Sequence, residues 1–363
     1  MAKIQLLDAT SLPSLAQFES IIDVRSPGEF AEDHVPGAVN LPVLTDAERA
    51  EVGTIYVQES RLKANRIGAA YVARNIARHL DTALAEKTTE FAPLVYCWRG
   101  GQRSESMAAV LSRVGWRTSL LVGGYKAYRR AVRTALYDEP WPFPVVLLDG
   151  DTGSAKTEIL NRLSDRGCQA LDLEGLAGHR GSLLGGWPGQ AQPSQKLFES
   201  RLWTATQRLD PGRPVVVEAE SSKIGDRIVP PALWRAMQAA PRIELAAPLE
   251  ARARYLVRAY GDLITDQERF ESALARLPPH LGGSRVKAWR ALFEAGDFLA
   301  LAAAIVGEHY DPAYARARRK DGRTPADIVA LASLEPSDQT AAADAIAAKV
   351  SAVAERQSTP AAP

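Results

Sequence analysis

The chain has 363 residues, of which 46% are hydrophobic and 24% charged, a composition typical of a soluble globular protein with two domains. Lys and Arg number 44 against 43 Asp and Glu, and the net charge of +1 excludes a uniformly basic nucleic-acid coat. Two cysteines, Cys97 and Cys168, argue against a disulfide framework or a cysteine-built zinc site. Neither a signal-peptide run nor a bilayer-length apolar stretch occurs, which predicts a cytoplasmic protein without membrane association.

The first part of the chain alternates short apolar runs with helical segments. The apolar, β-branched runs at residues 20–24, 93–97 and 118–124 predict buried strands. Residues 65–80 and 103–114 read as helices, the second stopped by Gly115. This alternation predicts an α/β fold, with a parallel sheet covered by helices.

Three prolines within residues 139–144 predict a linker, because proline is excluded from helix interiors and central strands. We therefore assign residues 1–138 to a first domain and residues 145–334 to a second. The second begins with the strand VVLLDG, has further strands at 214–220 and 242–248, and is helical from about 248 to 308. Residues 335–363 are Ala-rich and predict a partly disordered tail, with a helix over 338–355 and disorder in the closing STPAAP.

The first chemical centre is Cys97, within the sequence YCWRGGQRS. A predicted strand ends at this cysteine, a glycine-containing loop follows, and a helix begins near Arg103. Loop N–H groups and a helix N-terminus favour a thiolate and bind anions. Cys97 is therefore the candidate catalytic residue; the alternative is a small core residue at a strand end. The candidate residues of the anion-binding loop are Arg99, Gly100, Gly101 and Arg103.

Together with IDVRSPGEFAEDHVPGAVNLP and VGGYKAYR, this segment resembles a rhodanese domain. The resemblance implies that Cys97 carries sulfur or selenium as a persulfide-like adduct. The spacing Cys-x5-Arg is also that of Cys-dependent phosphatases, in which a histidine usually precedes the cysteine, whereas Tyr96 stands here. Three other residues of the rhodanese pattern are interpreted as structural supports of the loops: Asp23, Arg25 and His34.

The second chemical centre is GDTGSAKT, which lies between a predicted strand and a predicted helix. It matches G-x-x-x-x-G-K-[ST] except that Ala155 replaces the second glycine, which leaves the phosphate register open. In such a P-loop, backbone N–H groups wrap a diphosphate, Lys156 reaches the outer phosphate and the Thr157 hydroxyl can bind Mg²⁺. The alternative is a chance glycine-rich turn. The candidate diphosphate-binding residues are Gly150, Gly153, Ser154, Lys156 and Thr157.

Acidic residues end the next apolar strand, where a metal-orienting carboxylate would lie. Glu218 and Glu220 are the candidates, and a solvated strand end is the alternative for each. The glycine-rich GHRGS at residues 178–182 is either a substrate loop or a plain surface loop. Three arginines on a predicted helix could clamp phosphate, although we favour a solvated face: Arg252, Arg254 and Arg258.

Residues 309–323, HYDPAYARARRKDGR, carry five basic and two acidic side chains, a local charge of +3. Arginines contact phosphates, and tyrosines can stack on unpaired bases. This segment is therefore a candidate RNA contact, with ordinary surface as the alternative. The candidate tRNA-binding residues are Tyr310, Tyr314, Arg316, Arg318 and Arg319.

The two centres together resemble the tRNA 2-selenouridine synthase family. The resemblance rests on CWRGGQRS, GDTGSAKTEIL, LEGLAGHRGSLLG, QPSQKLFES, VVVEAESSKIG and HYDPAYARAR, and runs from about Leu6 to Arg323. It implies a rhodanese-like domain followed by a P-loop NTPase-like α/β domain with a helical C-terminal part. It also implies selenation of 2-thiouridine in the tRNA anticodon loop through an S-geranyl intermediate. Selenophosphate and geranyl diphosphate are then co-substrates, no cofactor is tightly bound, and a selenophosphate-supplying enzyme is a candidate partner.

Three other functions remain open from the sequence. One is a P-loop nucleotide-hydrolysing or kinase-like enzyme with a regulatory rhodanese module. Another is a non-catalytic scaffold that binds tRNA or persulfide, against which the intact Cys97 and Lys156 argue. The third is a phosphatase that uses the Cys-x5-Arg loop.

Overall fold

A computed structural model describes residues 4–7, 18–181, 185–187, 189–219, 221–275 and 283–358. The chain divides into two compact units. The first comprises Met1–Glu139 and Pro193–Gln207, and the second comprises Pro140–Gln192 and Arg208–Pro363. The predicted domains are continuous in sequence, whereas here a helical segment from the middle of the second domain belongs to the first unit.

The α/β fold class is confirmed, because short strands alternate with helices in both units. The strands are β1 (Gln5–Leu7), β2 (Ile21–Asp23), β3 (Ala38–Asn40), β4 (Leu94–Tyr96), β5 (Ser119–Leu121), β6 (Val145–Gly150), β7 (Gln169–Leu171), β8 (Val215–Glu218), β9 (Lys223–Ile224), β10 (Arg227–Ile228), β11 (Arg242–Ala246) and β12 (Asp327–Ala330). The helices are α1 (Pro27–Glu32), α2 (Asp46–Gln58), α3 (Arg61–Asp81), α4 (Gln102–Val114), α5 (Gly124–Arg133), α6 (Lys156–Ser164), α7 (Leu173–Ala177), α8 (Gln195–Thr206), α9 (Pro231–Ala239), α10 (Leu249–Ala259), α11 (Gly261–Ile264), α12 (Gln267–Ala275), α13 (Gly283–Glu294), α14 (Phe298–Ile305), α15 (Asp311–Asp321), α16 (Pro336–Ala347) and α17 (Val350–Ser358). Single π-helical turns follow α5 and α14, at Thr134–Asp138 and Val306–Tyr310.

The first unit contains a parallel sheet in the order β1-β5-β4-β2-β3. Its central strands are fully buried, which explains their apolar sequences. Helix α4 ends just before Gly115, as predicted. Gly115 has a φ of 113°, a left-handed conformation that favours glycine and ends the helix. The core lies between the sheet and the helices around Ile22, Val95, Met107 and Leu111. This packing brings the carboxyl end of β4, and therefore Cys97, to the N-terminus of α4.

Polar contacts attach α8 to the first unit. Glu199 is almost fully buried and forms an ion pair with Arg129 of α5. The Ser200 hydroxyl donates to Asp33 Oδ2 over 3.1 Å. A buried carboxylate requires such partners, since its charge is otherwise costly away from water. These pairings account for the placement of α8, which the apolar pattern of the sequence did not indicate.

The second unit contains a parallel sheet in the order β12-β11-β6-β8-β7, and a short antiparallel pair, β9 and β10. The P-loop strand β6 is central and buried throughout. Because parallel strands end at one edge, the carboxyl ends of β6 and β8 lie together, which is where ligands bind in such sheets. A smaller apolar cluster lies among α12, α13 and α14, around Phe270, Trp289 and Leu301.

The Ala-rich C-terminal segment is part of the second core. The helix predicted over residues 338–355 is present as two helices, α16 and α17. Ile346, Val350 and Val353 are buried in the same cluster as β6 and α6. Small alanines allow α16 to approach the sheet closely, so the segment needs few large apolar residues. The tail interpretation of residues 335–358 is therefore corrected, and residues 359–363, for which disorder is predicted, lie outside the described residues.

None of the helices in the described ranges combines the length and apolar character needed to cross a membrane.

Candidate functional site

Cys97 lies at the end of β4, where the first turn of α4 surrounds its sulfur. The Gly101 N–H donates to Sγ over 3.3 Å, and Ser104 Oγ lies 3.2 Å from Sγ. The side chain is 4% exposed, so these groups supply the polar environment that solvent would otherwise provide. Donors that converge on one atom in this way favour a negative charge there, which for Cys97 is the thiolate.

Two opposing effects set the acidity of this thiol. Burial disfavours the thiolate, but hydrogen bonds from Ser104 and from the backbone N–H groups of Ser104, Arg99 and Gly101 favour it. The hydrogen bonds prevail, so the pKa of Cys97 is lowered from its ordinary value. A lowered pKa increases the thiolate fraction at neutral pH, and the thiolate is the reactive form.

The loop depends on close backbone packing against the β5–α5 turn. A Cβ at Gly124 would lie 2.3 Å from the Cys97 carbonyl oxygen, and Gly124 has φ of +57°. Only glycine fits there. The predicted loop residue Gly100 packs on the same turn, since a Cβ there would lie 2.8 Å from the Leu121 carbonyl oxygen, whereas a Cβ at Gly101 would meet nothing within 4 Å.

The two arginines of the loop differ in their surroundings. Arg99 is exposed. Arg103 Nη1 is 2.9 Å from Glu29 Oε2, and Arg49 Nε is 3.2 Å from the same oxygen. Burial opposes ionisation of Glu29, but Arg103 holds its pKa below the ordinary value. Arg103 is thus paired with a carboxylate of α1, whereas a Cys-dependent phosphatase needs this arginine for its substrate phosphate.

The residues interpreted as structural supports make contacts within the first unit. Arg25 and Asp23 form a buried ion pair with Nη2–Oδ2 at 2.6 Å. The Arg25 guanidinium carbon is also 3.9 Å from the centroid of the Tyr125 ring, so it joins β2 to α5. His34 stacks on Phe30, with Nδ1 2.8 Å from the Phe30 carbonyl oxygen.

The P-loop has the predicted strand–loop–helix form. Strand β6 ends at Gly150, residues 151–155 form the loop, and α6 begins at Lys156. Gly153 has φ of +84°, and a Cβ there would lie 2.8 Å from Leu256 Cγ. Helix α10 therefore packs directly on the loop. The Ser154 hydroxyl oxygen is buried without a hydrogen-bond partner, as expected of a group positioned for a ligand.

Ala155 takes the conformation that the missing glycine would take. Its φ of 58° is the one positive value for a non-glycine residue within the described ranges. Such a conformation costs alanine roughly 1–2 kcal/mol. The residue is 3% exposed and belongs to the second unit's core. The substitution thus preserves the backbone path of a P-loop.

Lys156 and Thr157 lie where a P-loop requires them. Lys156 Nζ donates to the Gly150 carbonyl oxygen over 2.8 Å, which holds the ammonium across the loop. Thr157 Oγ1 is 2.6 Å from Glu218 Oε1 and 3.0 Å from Glu174 Oε2. Glu218 is fully buried at the end of β8. The other candidate acid, Glu220, lies outside the described residues.

This group of oxygens has the chemistry of a magnesium site. Mg²⁺ is usually held by one or two carboxylates together with substrate phosphates. Thr157, Glu174 and Glu218 supply a hydroxyl and two carboxylates beside the phosphate loop. Within the described ranges, His, Cys, Asp and Glu do not gather in threes as a self-sufficient metal centre would need. The residues therefore fit a cation that a phosphate ligand would help to hold.

The P-loop forms one wall of a cavity of about 900 Å³ in the second unit. Aromatic and basic side chains from α10, α15 and the loop after α7 form much of the rest. A second, narrow cavity opens beside Thr152 and has almost wholly apolar walls. The residues common to both cavities are Thr152, Leu256, Tyr260 and Tyr310.

The five candidate tRNA-binding residues do not share one surface. Tyr310 and Tyr314 line the large cavity. Arg318 also lines it, with Nη2 2.7 Å from Asp151 Oδ1 in the P-loop and Nη1 3.3 Å from Glu244 Oε1. Arg316 and Arg319 are exposed on α15. Helix α15 thus presents one arginine to the P-loop and two to solvent.

The three arginines of α10 are all paired with carboxylates. Arg252 is buried, contacts both carboxylate oxygens of Asp311 at 2.8 Å and donates to the Thr152 carbonyl oxygen over 3.2 Å. It therefore supports the P-loop backbone from below. Arg254 and Arg258 are exposed and pair with Glu250 and Glu335, in agreement with a solvated face.

Sequence reasoning missed two parts of the site. Glu174 is not among the residues predicted from the sequence. It lies on the short helix α7, which follows β7 at the edge of the sheet where ligands bind. Only this position in the fold could have indicated a role for it. The aromatic wall combines Tyr255 and Tyr260, in and directly after α10, with Trp187, which lies about 70 residues earlier in the sequence. Residues 178–182 were weighed as a substrate loop; Arg180 and Gly181 line the cavity, while Ser182 lies outside the described residues.

An activated cysteine in a rhodanese-like unit and a P-loop in a second α/β unit define a protein with two chemical centres. The rhodanese-like domain profile matches residues 6–131, and the profile of the tRNA 2-selenouridine synthase AAA domain matches residues 143–329. The tRNA 2-selenouridine synthase of Chromohalobacter salexigens is 34% identical over 83% of this chain and 89% of its own length. Those of Shewanella loihica and Cupriavidus necator are 32% and 35% identical, each over 83% of this chain and over 87% and 89% of their own lengths. The chain belongs to the tRNA 2-selenouridine synthase family.

Proposed function

We propose that this protein is a transferase that modifies the wobble uridine of tRNA, replacing the sulfur of 2-thiouridine by selenium. The observation that carries the proposal is the P-loop beside an apolar cavity in the second unit, combined with an activated cysteine in the first. We expect the protein to act in the cytoplasm, together with its tRNA substrate. Its co-substrates are geranyl diphosphate and selenophosphate.

The P-loop centre carries out the prenyl step. The diphosphate binds at Gly150–Thr157, and the prenyl chain enters the apolar cavity, whose walls include Phe270, Phe293 and Phe298. The thiocarbonyl sulfur attacks C1 of the geranyl group, the C–O bond breaks, and diphosphate leaves with the electron pair. The uridine N3 proton is lost, which gives neutral S-geranyl-2-thiouridine.

Lys156 and the loop N–H groups stabilise the charge that develops on the leaving diphosphate. The Ser154 hydroxyl gains the partner that it lacks in the protein alone. Thr157, Glu174 and Glu218 would hold Mg²⁺, which supplies further positive charge to the diphosphate when bound. No nucleotide hydrolysis is required in this scheme.

The Cys97 centre handles the selenium donor. Selenophosphate is an anion, and the N–H groups around Cys97 suit it. The selenium of selenophosphate then attacks C2 of the alkylated base, the C2–S bond breaks, and the sulfur takes up a proton and leaves as geranyl thiol. Water attacks the phosphorus, the P–Se bond breaks, and inorganic phosphate leaves while selenium stays on C2. Alkylation is what makes this sulfur a competent leaving group. Exposed basic residues, including Arg316 and Arg319, hold the tRNA backbone.

The test is incubation of the protein with 2-thiouridine tRNA, geranyl diphosphate and selenophosphate, followed by mass spectrometry of the wobble nucleoside. We expect Lys156→Ala to slow geranylation by about 10²- to 10³-fold, as loss of a transition-state donor does. Selenation of pre-geranylated tRNA should survive better in this variant. Cys97→Ser should abolish selenation and leave geranylation largely intact. Cys168→Ser is the control and should retain both steps.

Two results would contradict the proposal. Wild-type protein that forms no geranylated or selenated nucleoside rules out the activity. Equal loss of both steps in Lys156→Ala and in Cys97→Ser rules out the division between the two centres. ATP or GTP hydrolysis that depends on Lys156, without any change of the nucleoside, would favour the nucleotide-hydrolysing alternative.

A further inference from the structure

Trp187 is a large aromatic side chain left open on the wall of the P-loop cavity. It is 45% exposed, and it lines the same cavity as Lys156 and Thr157. A single exposed apolar residue on an outer surface needs no explanation. An exposed indole inside a ligand cavity is different, because a bound ligand can cover it.

A cation beneath Trp187 holds its ring in place. The Arg180 guanidinium carbon lies 4.1 Å from the Trp187 ring centroid and 4.5 Å from that of Tyr260. Arg180 Nη2 is 2.8 Å from Asp262 Oδ2, and Nη1 donates to the Ala259 carbonyl oxygen over 2.9 Å. Asp262 and the Ala259 carbonyl thus hold the Arg180 guanidinium against the two rings, where the cation–π contact supports the Trp187 indole.

The backbone that carries Trp187 is also fixed. The Arg180 N–H donates to the Gly185 carbonyl oxygen over 2.9 Å. Arg269 Nη2 donates to the Gly186 carbonyl oxygen over 2.9 Å, and its Nη1 is 3.1 Å from the Asp262 carboxylate. Arg180 and Arg269, which share the Asp262 carboxylate, thus attach the loop residues before Trp187 to α11 and α12. The ring is positioned before any ligand arrives, which limits the entropy lost on binding.

We propose that Trp187 is the stacking platform for the base that is modified, an unpaired pyrimidine of the RNA substrate. The inference rests on the proposed function for the identity of that base. The phosphate loop and the phenylalanine-walled cavity already account for the two parts of a prenyl diphosphate. Among the described residues that line the P-loop cavity, Trp187 is the large hydrophobic side chain that is exposed. A planar base, turned out of the anticodon loop, is the remaining reactant, and base–aromatic stacking is the common means of holding one.

The test compares Trp187→Leu and Trp187→Phe with Tyr56→Leu, a control with similar exposure, 46%, in the first unit. Binding is measured with two anticodon stem–loop RNAs, one carrying 2-thiouridine at the wobble position and one abasic there. Trp187→Leu should weaken binding of the first RNA by roughly 5- to 150-fold, the usual range for a lost base–aromatic stack. The abasic RNA should bind this variant and the wild type alike, and Trp187→Phe should retain most of the affinity.

Geranyl diphosphate binding, measured separately, should be the same in wild type and Trp187→Leu. Equal losses on both RNAs, or no loss on either, would overturn the inference while wild-type nucleoside formation left the proposed function standing. A loss confined to geranyl diphosphate would assign Trp187 to the prenyl chain instead and would equally overturn it. Wild-type protein without any nucleoside product would contradict the proposed function itself.

Discussion

Cys97 shows how a buried thiol can remain reactive. Burial alone raises a cysteine pKa, which is why most core cysteines are inert. Here three N–H groups and one hydroxyl donate to the sulfur, and together they lower the pKa of Cys97 in spite of its burial. Cys168 illustrates the other case, since burial raises its pKa and the nearby arginines only partly oppose that rise. The two cysteines of the chain therefore differ in reactivity for reasons that the loop sequence already contains.

Ser104→Ala should raise the pKa of Cys97, because burial then acts against fewer hydrogen bonds. The measurement is the rate of iodoacetamide alkylation as a function of pH, in a Cys168→Ser background so that Cys97 alone reacts. The alkylation rate of the parent should rise with pH around a midpoint below the ordinary pKa of a thiol. In Ser104→Ala this midpoint should lie at higher pH, and alkylation at neutral pH should be slower. Identical profiles would mean that the Ser104 hydroxyl does not stabilise the thiolate.

The conformation of Ala155 could not be predicted from the sequence motif. Because one glycine of the motif is missing, the sequence alone leaves the phosphate register open. The structure gives Ala155 the left-handed conformation of the absent glycine. The cost of about 1–2 kcal/mol is small against the roughly 2–5 kcal/mol that one well-packed aliphatic side chain contributes to a core. A sequence pattern does not contain these two free energies, because they depend on how the residue is packed in the fold.

Helix α15 combines two roles that its sequence does not separate. The run from Arg316 to Arg319 appears as one basic patch when counted by charge. On a helix, successive residues point about 100° apart, so neighbours in sequence face different surroundings. Arg318 consequently reaches Asp151 in the P-loop, while Arg316 and Arg319 remain in solvent. Without Arg318, the Asp151 carboxylate would stand unneutralised beside a bound diphosphate.

We therefore expect opposite effects from variants on the two sides of α15. Arg318→Gln should weaken binding of inorganic diphosphate by about tenfold, since a nearby unpaired carboxylate repels the ligand. Adding Asp151→Asn should restore much of that affinity. The double variant Arg316→Ala with Arg319→Ala should leave diphosphate binding unchanged and weaken tRNA binding, with a salt dependence flatter by about one unit per lost contact.

Arg254→Ala on α10 is the matched control for the tRNA measurement, because Arg254 is equally exposed but paired with Glu250. If Arg318→Gln lowers the salt slope of tRNA binding and leaves diphosphate affinity intact, all three arginines belong to one RNA surface. If Asp151→Asn gives no recovery, the two side chains act independently and the neutralisation argument is wrong.

The strands that sequence reasoning found are the most apolar ones. Strands β4, β6 and β8 have mostly apolar sequences, LVY, VVLLDG and VVVE, and every residue in them is buried. Edge strand β12 is not among the predicted strands, although residues 328–332 form a continuous apolar run; one of its four residues is buried. Helix α8 was assigned to the neighbouring domain because the ion pairs that attach it to the first unit join residues about 70 apart. Such long-range polar contacts leave no periodic signal.

The core of the second unit extends to the C-terminal helices. Its cluster joins β6 and α6 to residues almost 200 positions later in the chain. Composition suggested otherwise, because alanine contributes little apolar area per residue. The large apolar side chains of α16 and α17 are Ile346, Val350 and Val353, and all three belong to this cluster. The stability of the P-loop unit should therefore depend on a segment that resembles a tail.

Ile346→Ala should lower the free energy of unfolding of the second unit by about 2–5 kcal/mol, the usual cost of truncating a buried aliphatic side chain. The chain contains a reporter for each unit: Cys97 lies in the first core, and Cys168 packs against the second. Thiol labelling during urea unfolding, in single-cysteine backgrounds, should show Cys168 exposed at lower urea in Ile346→Ala, with Cys97 unchanged. The exposed substitution Ser351→Ala is the control and should stay within about 0.5 kcal/mol of the parent. Equal midpoints for the two variants would place the C-terminal helices outside the cooperative core, whereas a joint shift of Cys97 and Cys168 would mean that the two units unfold together.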